Sequence, residues 1–228
     1  MSYFKGLKLT NTFTGVGYGA LASITTGATN NTGVGFNAGT SITTGDFNTL
    51  MGDIAGDAIT IGSRISAFGY SAGGSIVSDT DLSAFGYRAL ESTTVGTNSA
   101  FGSDAMRNLT TGANNTGVGY QVANNASFNG SQNTIMGAST ASSLTTGSNN
   151  TFLGANITIS AGARSGCVAL GTGASCTADD LFIVRLGNNA SKQMVFTPVA
   201  DATARSTLVT YLPFALNGVQ YYIQLYQT

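Results

Sequence analysis

The chain has 228 residues, of which 42% are hydrophobic and only 8% are charged, and its formal net charge is -1. Disordered chains are poor in apolar residues and rich in charge, so this composition predicts a folded chain with a buried core. Nine Lys plus Arg residues give no basic surface for a phosphate backbone, and the lack of histidine excludes catalysis by a histidine-assisted nucleophile. We therefore expect neither a nucleic-acid partner nor an enzyme.

The first ten residues precede any repeated pattern. They carry Lys5 and Lys8 beside Tyr3 and Phe4, and we interpret residues 1–10 as a cap for the first structural unit or as an anchor to a particle. They lack the apolar core of a secretory signal, and no run in the chain approaches the roughly 18 apolar residues of a membrane-spanning helix. We expect no signal peptide and no membrane insertion.

Residues 11–190 repeat a short phrase, which reads Asn-Thr-Gly-Val-Gly at 31–35 and 115–119 and Asn-Thr-Leu-Met-Gly at 48–52. Its last glycine, called position 0 below, recurs at Gly17, Gly35, Gly52, Gly69, Gly86, Gly102, Gly119, Gly137, Gly154, Gly171 and Gly187. Ten steps cover 170 residues, so the repeat averages 17 residues. A unit this short, rich in glycine and β-branched residues, does not suit helical repeats, which need about 33 residues.

The repeat predicts an all-β fold, a single-chain parallel β-solenoid (β-roll) of about eleven coils. Stacked coils lie one strand spacing apart, about 4.8 Å, so eleven coils make a rod roughly 50 Å long. Equivalent residues then form ladders along the rod. Position -4 is Asn in six coils, and we expect a stacked amide ladder of Asn31, Asn48, Asn98, Asn115, Asn133 and Asn150.

The residue before each glycine, position -1, is apolar in every copy. We expect it to fill the interior of each coil as a structural core ladder of Val16, Val34, Met51, Phe68, Phe85, Phe101, Val118, Met136, Leu153, Leu170 and Leu186. Side chains alternate along a strand, so the Thr or Ser at position -3 of the first nine copies is expected to point inward too. The residue at position -2, which is small in most copies, is expected on the outer face.

Two phrases carry a resemblance to a known family, Cys-Val-Ala-Leu-Gly-Thr-Gly-Ala at 167–174 and Asn-Ser-Ala-Phe-Gly-Ser-Asp-Ala at 98–105. Over residues 11–190 the repeat resembles the head repeats of trimeric autotransporter adhesins and the β-roll shafts of phage and large-DNA-virus fibres. The resemblance implies a left-handed winding and three chains packed side by side, and so a homotrimer. The unit is longer than is usual in that family. The expected lack of a signal peptide and of a C-terminal membrane barrel favours a virus or phage fibre.

The repeat stops after about residue 190, and residues 191–228 are expected to form a β-rich cap or tip. Asn217-Gly218, the favoured two-residue turn, lies between two β-rich runs and predicts an antiparallel hairpin. Five aromatic residues occur here: Tyr211, Phe214, Tyr221, Tyr222 and Tyr226. They either close the end of the trimeric rod or form a recognition site, because tyrosine supplies rigid contact area.

No pattern predicts a catalytic, cofactor or metal site. Gly15-Val-Gly17 and Gly117-Val-Gly119 imitate a dinucleotide-binding phrase, but they recur without the helix that the motif requires. The acidic residues are scattered and lack the spacing of a calcium loop. Cys167 and Cys176 are too few for a disulfide framework, so we expect a pair of free thiols.

These observations predict a structural fibre or spike protein, on the surface of a virus or phage particle or as an extracellular fibre, that mediates attachment to a host surface. Its expected partners are two further copies of the chain, a virion anchor protein, and a host-surface receptor or glycan. The alternative is a monomeric β-solenoid that binds ice or carbohydrate.

Overall fold

The computed structural model describes residues 7–9, 13–25, 27–78, 80–125, 128–185, 193–196, 211–216 and 219–224, with side chains for those between 13 and 185. Every regular element in these ranges is a β-strand. The strands are β1 (Leu7–Leu9), β2 (Phe13–Val16), β3 (Asn31–Val34), β4 (Thr49–Met51), β5 (Ser66–Phe68), β6 (Ser83–Phe85), β7 (Ser99–Phe101), β8 (Thr116–Val118), β9 (Thr134–Met136), β10 (Thr151–Leu153), β11 (Thr158–Ile159), β12 (Val168–Leu170), β13 (Ser175–Cys176), β14 (Phe182–Arg185), β15 (Gln193–Phe196), β16 (Tyr211–Leu216) and β17 (Val219–Gln224).

Eleven strands, β2 to β10 with β12 and β14, stack in parallel as one sheet with neighbours about 17 residues apart. This confirms the predicted β-solenoid, which has about ten turns. Equivalent residues pair, so Phe68 of β5 lies opposite Phe85 of β6, which lies opposite Phe101 of β7. Backbone hydrogen bonds also join the coils away from this sheet, as from Leu21 N to Ala38 O (3.0 Å). The left-handed winding stays a prediction.

The predicted inner and outer faces of the strands are wrong and must be exchanged. Position -2 is buried, and Leu50, Ala67 and Ala84 in three consecutive coils have no exposed surface. The proposed core ladder at position -1 lies on the outer face instead. Of its members, Val16, Met51, Phe101, Met136 and Leu153 are 40–52% exposed, and Val34, Phe68, Phe85, Val118 and Leu170 are half-buried. The Thr and Ser residues at position -3 lie on the outer face as well, because residues two apart along a strand point to the same side of the sheet.

The small residues at position -2 face inward because the opposite wall of the coil fills the space beside them. A Cβ added to Gly33 would lie 2.9 Å from Leu21 Cγ, and one added to Gly117 would lie 3.0 Å from Met106 Cγ. Leu21 and Met106 occupy position +4. Where position -2 is the large Leu50, position +4 is glycine in the same coil and in the one before it. Volumes at the two positions are therefore complementary, as a close-packed interior requires.

The predicted amide ladder is confirmed. All six Asn side chains at position -4 are buried, and each bonds to the coil that follows it. Asn115 Nδ2 donates to Gly130 O (2.8 Å) and to Asn98 Oδ1 (3.1 Å), while Asn115 Oδ1 accepts from the backbone N (3.0 Å) and Nδ2 (3.0 Å) of Asn133. The ladder is interrupted by the buried apolar residues Ile65 and Leu82, which take position -4 in two coils.

Replacing Asn115 by Ala is expected to lower the free energy of unfolding by about 2–4 kcal/mol, because it leaves a buried carbonyl and buried amide donors without partners. The control is the neighbouring Asn114→Ala, at an exposed residue with φ 59° whose Oδ1 accepts a hydrogen bond from Thr97 Oγ1. There the left-handed backbone and one exposed hydrogen bond together are expected to cost only about 1.5 kcal/mol. Urea unfolding followed by circular dichroism measures both. Equal losses in the two variants would contradict the structural role of the ladder.

The last parallel strand is out of phase with the sequence repeat. β14 pairs with β12 so that Val184 lies opposite Leu170. Val184 therefore takes the ladder position that was assigned to Leu186, and Arg185 takes the place assigned to Gly187. Leu186 itself lies outside the described residues. The shift places Ile183 inward, where it is fully buried, so burial of an apolar side chain overrides the glycine pattern.

Cys167 and Cys176 are joined by a disulfide, which corrects the expectation of free thiols. Both residues are fully buried inside the same coil. Cys167 takes position -4, where other coils carry Asn. Cys176 pairs with Ile159 of the preceding coil through the small β11–β13 sheet. The disulfide therefore crosslinks the two walls of the coil near the C-terminal end of the stack.

An antiparallel strand covers each end of the parallel stack. β1 pairs with β2 at the first coil, and β15 pairs with β14 at the last. Terminal caps of this kind satisfy the backbone groups that a repeat array leaves open. The predicted C-terminal hairpin is also confirmed, since β16 and β17 pair antiparallel from Tyr211↔Gln224 to Leu216↔Val219. Its turn residues Asn217 and Gly218 lie outside the described residues.

Candidate interaction surfaces

The first candidate surface, called the sheet face, consists of positions -1 and -3 of the eleven parallel strands. It carries a row of Thr and Ser, replaced by Val168 and Phe182 in the last two strands, beside a row of Val, Met, Phe and Leu, and none of these residues is ionisable. Its length is roughly 50 Å and its width roughly 10 Å, so its area is about 500 Å². Soluble monomers rarely expose apolar patches larger than a few hundred Å², and such patches mark interaction sites.

Stacked aromatic rings run along the centre of the sheet face. The ring centroids of Phe68 and Phe85 lie 4.7 Å apart with 9° between the ring planes, and those of Phe85 and Phe101 lie 5.0 Å apart at 10°. The rings stack because parallel pairing sets equivalent residues one strand spacing apart. Inner ring faces are therefore covered by neighbouring rings, and the outer edge of the ladder is what a partner would contact.

A second aromatic row follows the glycine turn, at position +1. Tyr70 stacks on Tyr87 with a centroid distance of 5.4 Å, and Tyr18 stacks on Phe36 at 5.7 Å. The guanidinium carbon of Arg88 lies 5.0 Å from the Tyr87 ring centroid, a cation–π contact. This row forms the border between the uncharged sheet face and the charged part of the surface.

The second candidate surface, called the threonine face, consists of positions +8 and +9 in the coils from Gly17 to Gly102. None of its described residues is ionisable. Its threonine hydroxyls bond to the next coil: Thr25 Oγ1 donates to Thr43 O (2.8 Å), Thr43 Oγ1 to Thr60 O (3.1 Å), and Thr60 Oγ1 to Val77 O (3.1 Å). With the hydroxyls engaged, the methyl groups are left for contact with solvent or with a partner.

The threonine face is most apolar in its middle coils. Ile61, Val77 and Val95 are 56%, 47% and 45% exposed. They lie in three successive coils, those of Gly52, Gly69 and Gly86. Two of these coils, those of Gly69 and Gly86, and the next coil, that of Gly102, carry the stacked phenylalanines of the sheet face.

Charged side chains occupy the regions between the two faces. Arg64 forms an exposed ion pair with Asp81 (2.6 Å), and its hydrogen bond lowers the pKa of Asp81 and raises that of Arg64. Arg107 bonds to Glu91 (2.6 Å), which raises the pKa of Arg107. Partial burial raises the pKa of Asp57, with backbone hydrogen bonds acting in the opposite direction. Charge is therefore segregated from both uncharged faces.

The proposed recognition residues of the C-terminal segment are placed only in part. Tyr211 and Phe214 lie in β16, and Tyr221 and Tyr222 lie in β17, with Phe214 paired to Tyr221. Tyr226 lies outside the described residues. Whether these residues cap the rod or contact a receptor stays a prediction.

Two kinds of feature are absent from the residues that the structure describes. These residues contain no group of three or more His, Cys, Asp or Glu side chains arranged to hold a metal ion. They also contain no helix with the length and apolar character needed to cross a membrane.

The fold and its surfaces define the chain as a β-solenoid with two uncharged faces. Comparison with protein-family models, with curated proteins and with solved structures gives no match to the chain. The surfaces themselves are therefore the evidence for function. The sheet face was not predicted from the sequence because the apolar row was assigned to the interior, and the threonine face was not singled out.

Proposed function

We propose that the chain is a structural fibre or spike protein, carried on a virus or phage particle, whose solenoids associate in threes and hold the C-terminal segment for attachment to a host surface. The role is structural rather than catalytic. The single observation that carries the proposal is the sheet face, an uncharged surface with an apolar row that follows every coil of the stack.

The apolar row of the sheet face is a strip of exposed and half-buried side chains that runs along the stack. About half of the face is apolar, and covering roughly 250 Å² at about 25 cal/mol per Å² of apolar area is favourable by several kcal/mol for each chain. A standard interface buries about 800 Å² per partner, which is more than the sheet face alone supplies. In a ring of three each chain makes two contacts, so the area that one chain buries is the sum of the sheet face and of a second surface.

Two further observations support a fibre outside the cell. The disulfide between Cys167 and Cys176 is typical of oxidising environments. The coils are closed by backbone hydrogen bonds, for example from Gly52 N to Val34 O (2.8 Å) and from Gly69 N to Met51 O (2.8 Å). Such pairing leaves few backbone groups open to a protease, which suits an exposed rod. The resemblance to adhesin heads and virus fibres points to the same role.

The mass of the chain in solution tests the proposal. Light scattering after size exclusion is expected to give the mass of three chains, and Phe85→Asp is expected to reduce it to one chain, because the charge would be buried at the centre of the interface. Gln132→Asp is the control, since Gln132 is exposed, lies outside both faces and has φ 59°, a conformation that Asp tolerates. A one-chain mass for the unmodified protein at all concentrations would refute the proposal.

A second candidate function, ice binding by a single chain, is favoured by the outward orientation of position -3, which had been predicted to point inward. The Thr and Ser row at position -3 points outward, with residues such as Thr116, Thr134 and Thr151 exposed at one strand spacing. A monomer that inhibits ice recrystallisation and loses this activity in Thr134→Lys would favour this function. Carbohydrate binding gains no such support, because the inner faces of the stacked rings cover one another.

A further inference from the structure

We infer that neighbouring chains meet through unlike surfaces: the sheet face of one copy packs against the threonine face of the next. This inference rests on the proposed function, since it presupposes that copies of the chain associate. It goes further by naming the second surface and the pairing of the two.

The threonine face is suited to a dry contact. A hydroxyl that enters an interface without a partner costs free energy, yet those of Thr25, Thr43 and Thr60 already donate to backbone carbonyls of their own chain. Thr94 Oγ1 does the same with Thr110 O (3.0 Å). Burying this face therefore leaves these four hydroxyls satisfied. A partner meets their methyl groups, the aliphatic side chains of Ile61, Val77 and Val95, and the exposed hydroxyls of Thr44 and Ser78.

The two faces are matched along the rod. The bulky residues of the threonine face lie in the coils of Gly52, Gly69 and Gly86. The stacked phenylalanines of the sheet face lie in the coils of Gly69, Gly86 and Gly102. Copies related by rotation about an axis parallel to the rod stay at the same height, so these two clusters meet without any sliding of one chain along another.

Charge and symmetry both favour unlike surfaces. Ion pairs such as Arg64 with Asp81 lie outside the two faces, so neither contact buries an unpaired charge. If two sheet faces packed on each other, the assembly would end at two chains and leave both threonine faces bare. A contact between different surfaces that closes after three copies covers every threonine face and the part of each sheet face that lies opposite it.

Cysteine crosslinking of the full chain tests the pairing. Val77→Cys and Phe85→Cys place one free thiol on each face, while Cys167 and Cys176 are bonded to each other and buried. Mild oxidation of co-expressed Val77→Cys and Phe85→Cys chains is expected to give disulfide-linked pairs, at least ten-fold more than either variant alone. The double variant is expected to give covalently closed trimers. The control pair is Phe85→Cys with Gln132→Cys, which is expected to stay uncrosslinked.

The outcomes separate this inference from the proposed function. Crosslinking of Phe85→Cys with itself would show that sheet faces meet each other and would overturn the inference. A three-chain mass with no crosslink in any combination would overturn it as well and leave the trimeric fibre standing. A one-chain mass for every variant and for the unmodified chain would overturn both.

Discussion

Replacing Ala84 by Asp is expected to unfold the central coils of the solenoid. Ala84 is fully buried at position -2, between Ala67 and Ala100 on the adjacent strands. A carboxylate there has no partner inside the coil, and an uncompensated buried charge costs about 3–5 kcal/mol. Total stabilities of single domains are about 5–15 kcal/mol, so the loss takes a large part of the whole.

The adjacent substitution Phe85→Asp is the matched comparison. Phe85 lies on the sheet face, where a carboxylate can reach water in an isolated chain, so the solenoid is expected to stay folded while association is lost. Circular dichroism in increasing urea measures folding of both variants, and light scattering measures their mass. A folded Ala84→Asp chain beside an unfolded Phe85→Asp chain would restore the original assignment of the inner face and remove the sheet face as an interaction surface.

The repeat length and the solenoid followed from the sequence because stacking imposes one strand spacing per coil. Any feature needed once per coil then recurs every 16–18 residues, as the glycines do. The amide ladder was predictable for the same reason, since Asn115 must find its partners in the coils before and after it. The hairpin of β16 and β17 was predictable from local turn chemistry alone.

The orientation of the strands was not predictable from hydrophobicity, because in this chain an unbroken row of apolar residues lies on the outer face. Position -1 carries Phe and Met and resembles a core, whereas position -2 carries Gly and Ala and resembles a surface. The sequence feature that would have shown which side of each strand points inward is Asn at position -4. A stacked amide needs burial and backbone partners, and positions -4 and -2 share one face of the strand.

Two further features depend on contacts that no local pattern shows. The disulfide joins Cys167 and Cys176 because the coil folds back between them and brings their Cα atoms to 6.4 Å. The shift of β14 depends on Ile183, which becomes buried only when Val184 lies opposite Leu170. In both cases the decisive contact crosses the interior of a coil, and the repeat is less regular near its C-terminal end.

Replacing Gly69 by Ala is expected to cost about 3–5 kcal/mol, although the change adds a single methyl group. Gly69 has φ +135°, and a Cβ there would press against the carbonyl group of Gly86 in the next coil. The Gly86 carbonyl cannot move away, because Gly86 makes the same close approach to Gly102 in the following coil. Residue 69 cannot move away either, because the hydrogen bond from Gly69 N to Met51 O (2.8 Å) holds its strand in place. The cost therefore combines backbone strain with overpacking.

A control separates the two contributions. Gly27 has φ +115°, but a Cβ there would have no atom within 4 Å, so Gly27→Ala is expected to cost only the backbone strain, about 1–2 kcal/mol. Urea midpoints of both variants give the difference, which isolates the contact between coils. A loss for Gly69→Ala no larger than that for Gly27→Ala would mean that the coils can separate locally. Glycine at position 0 would then be required for its φ angle alone, and the close stacking at the glycine turn would not be what limits this position to glycine.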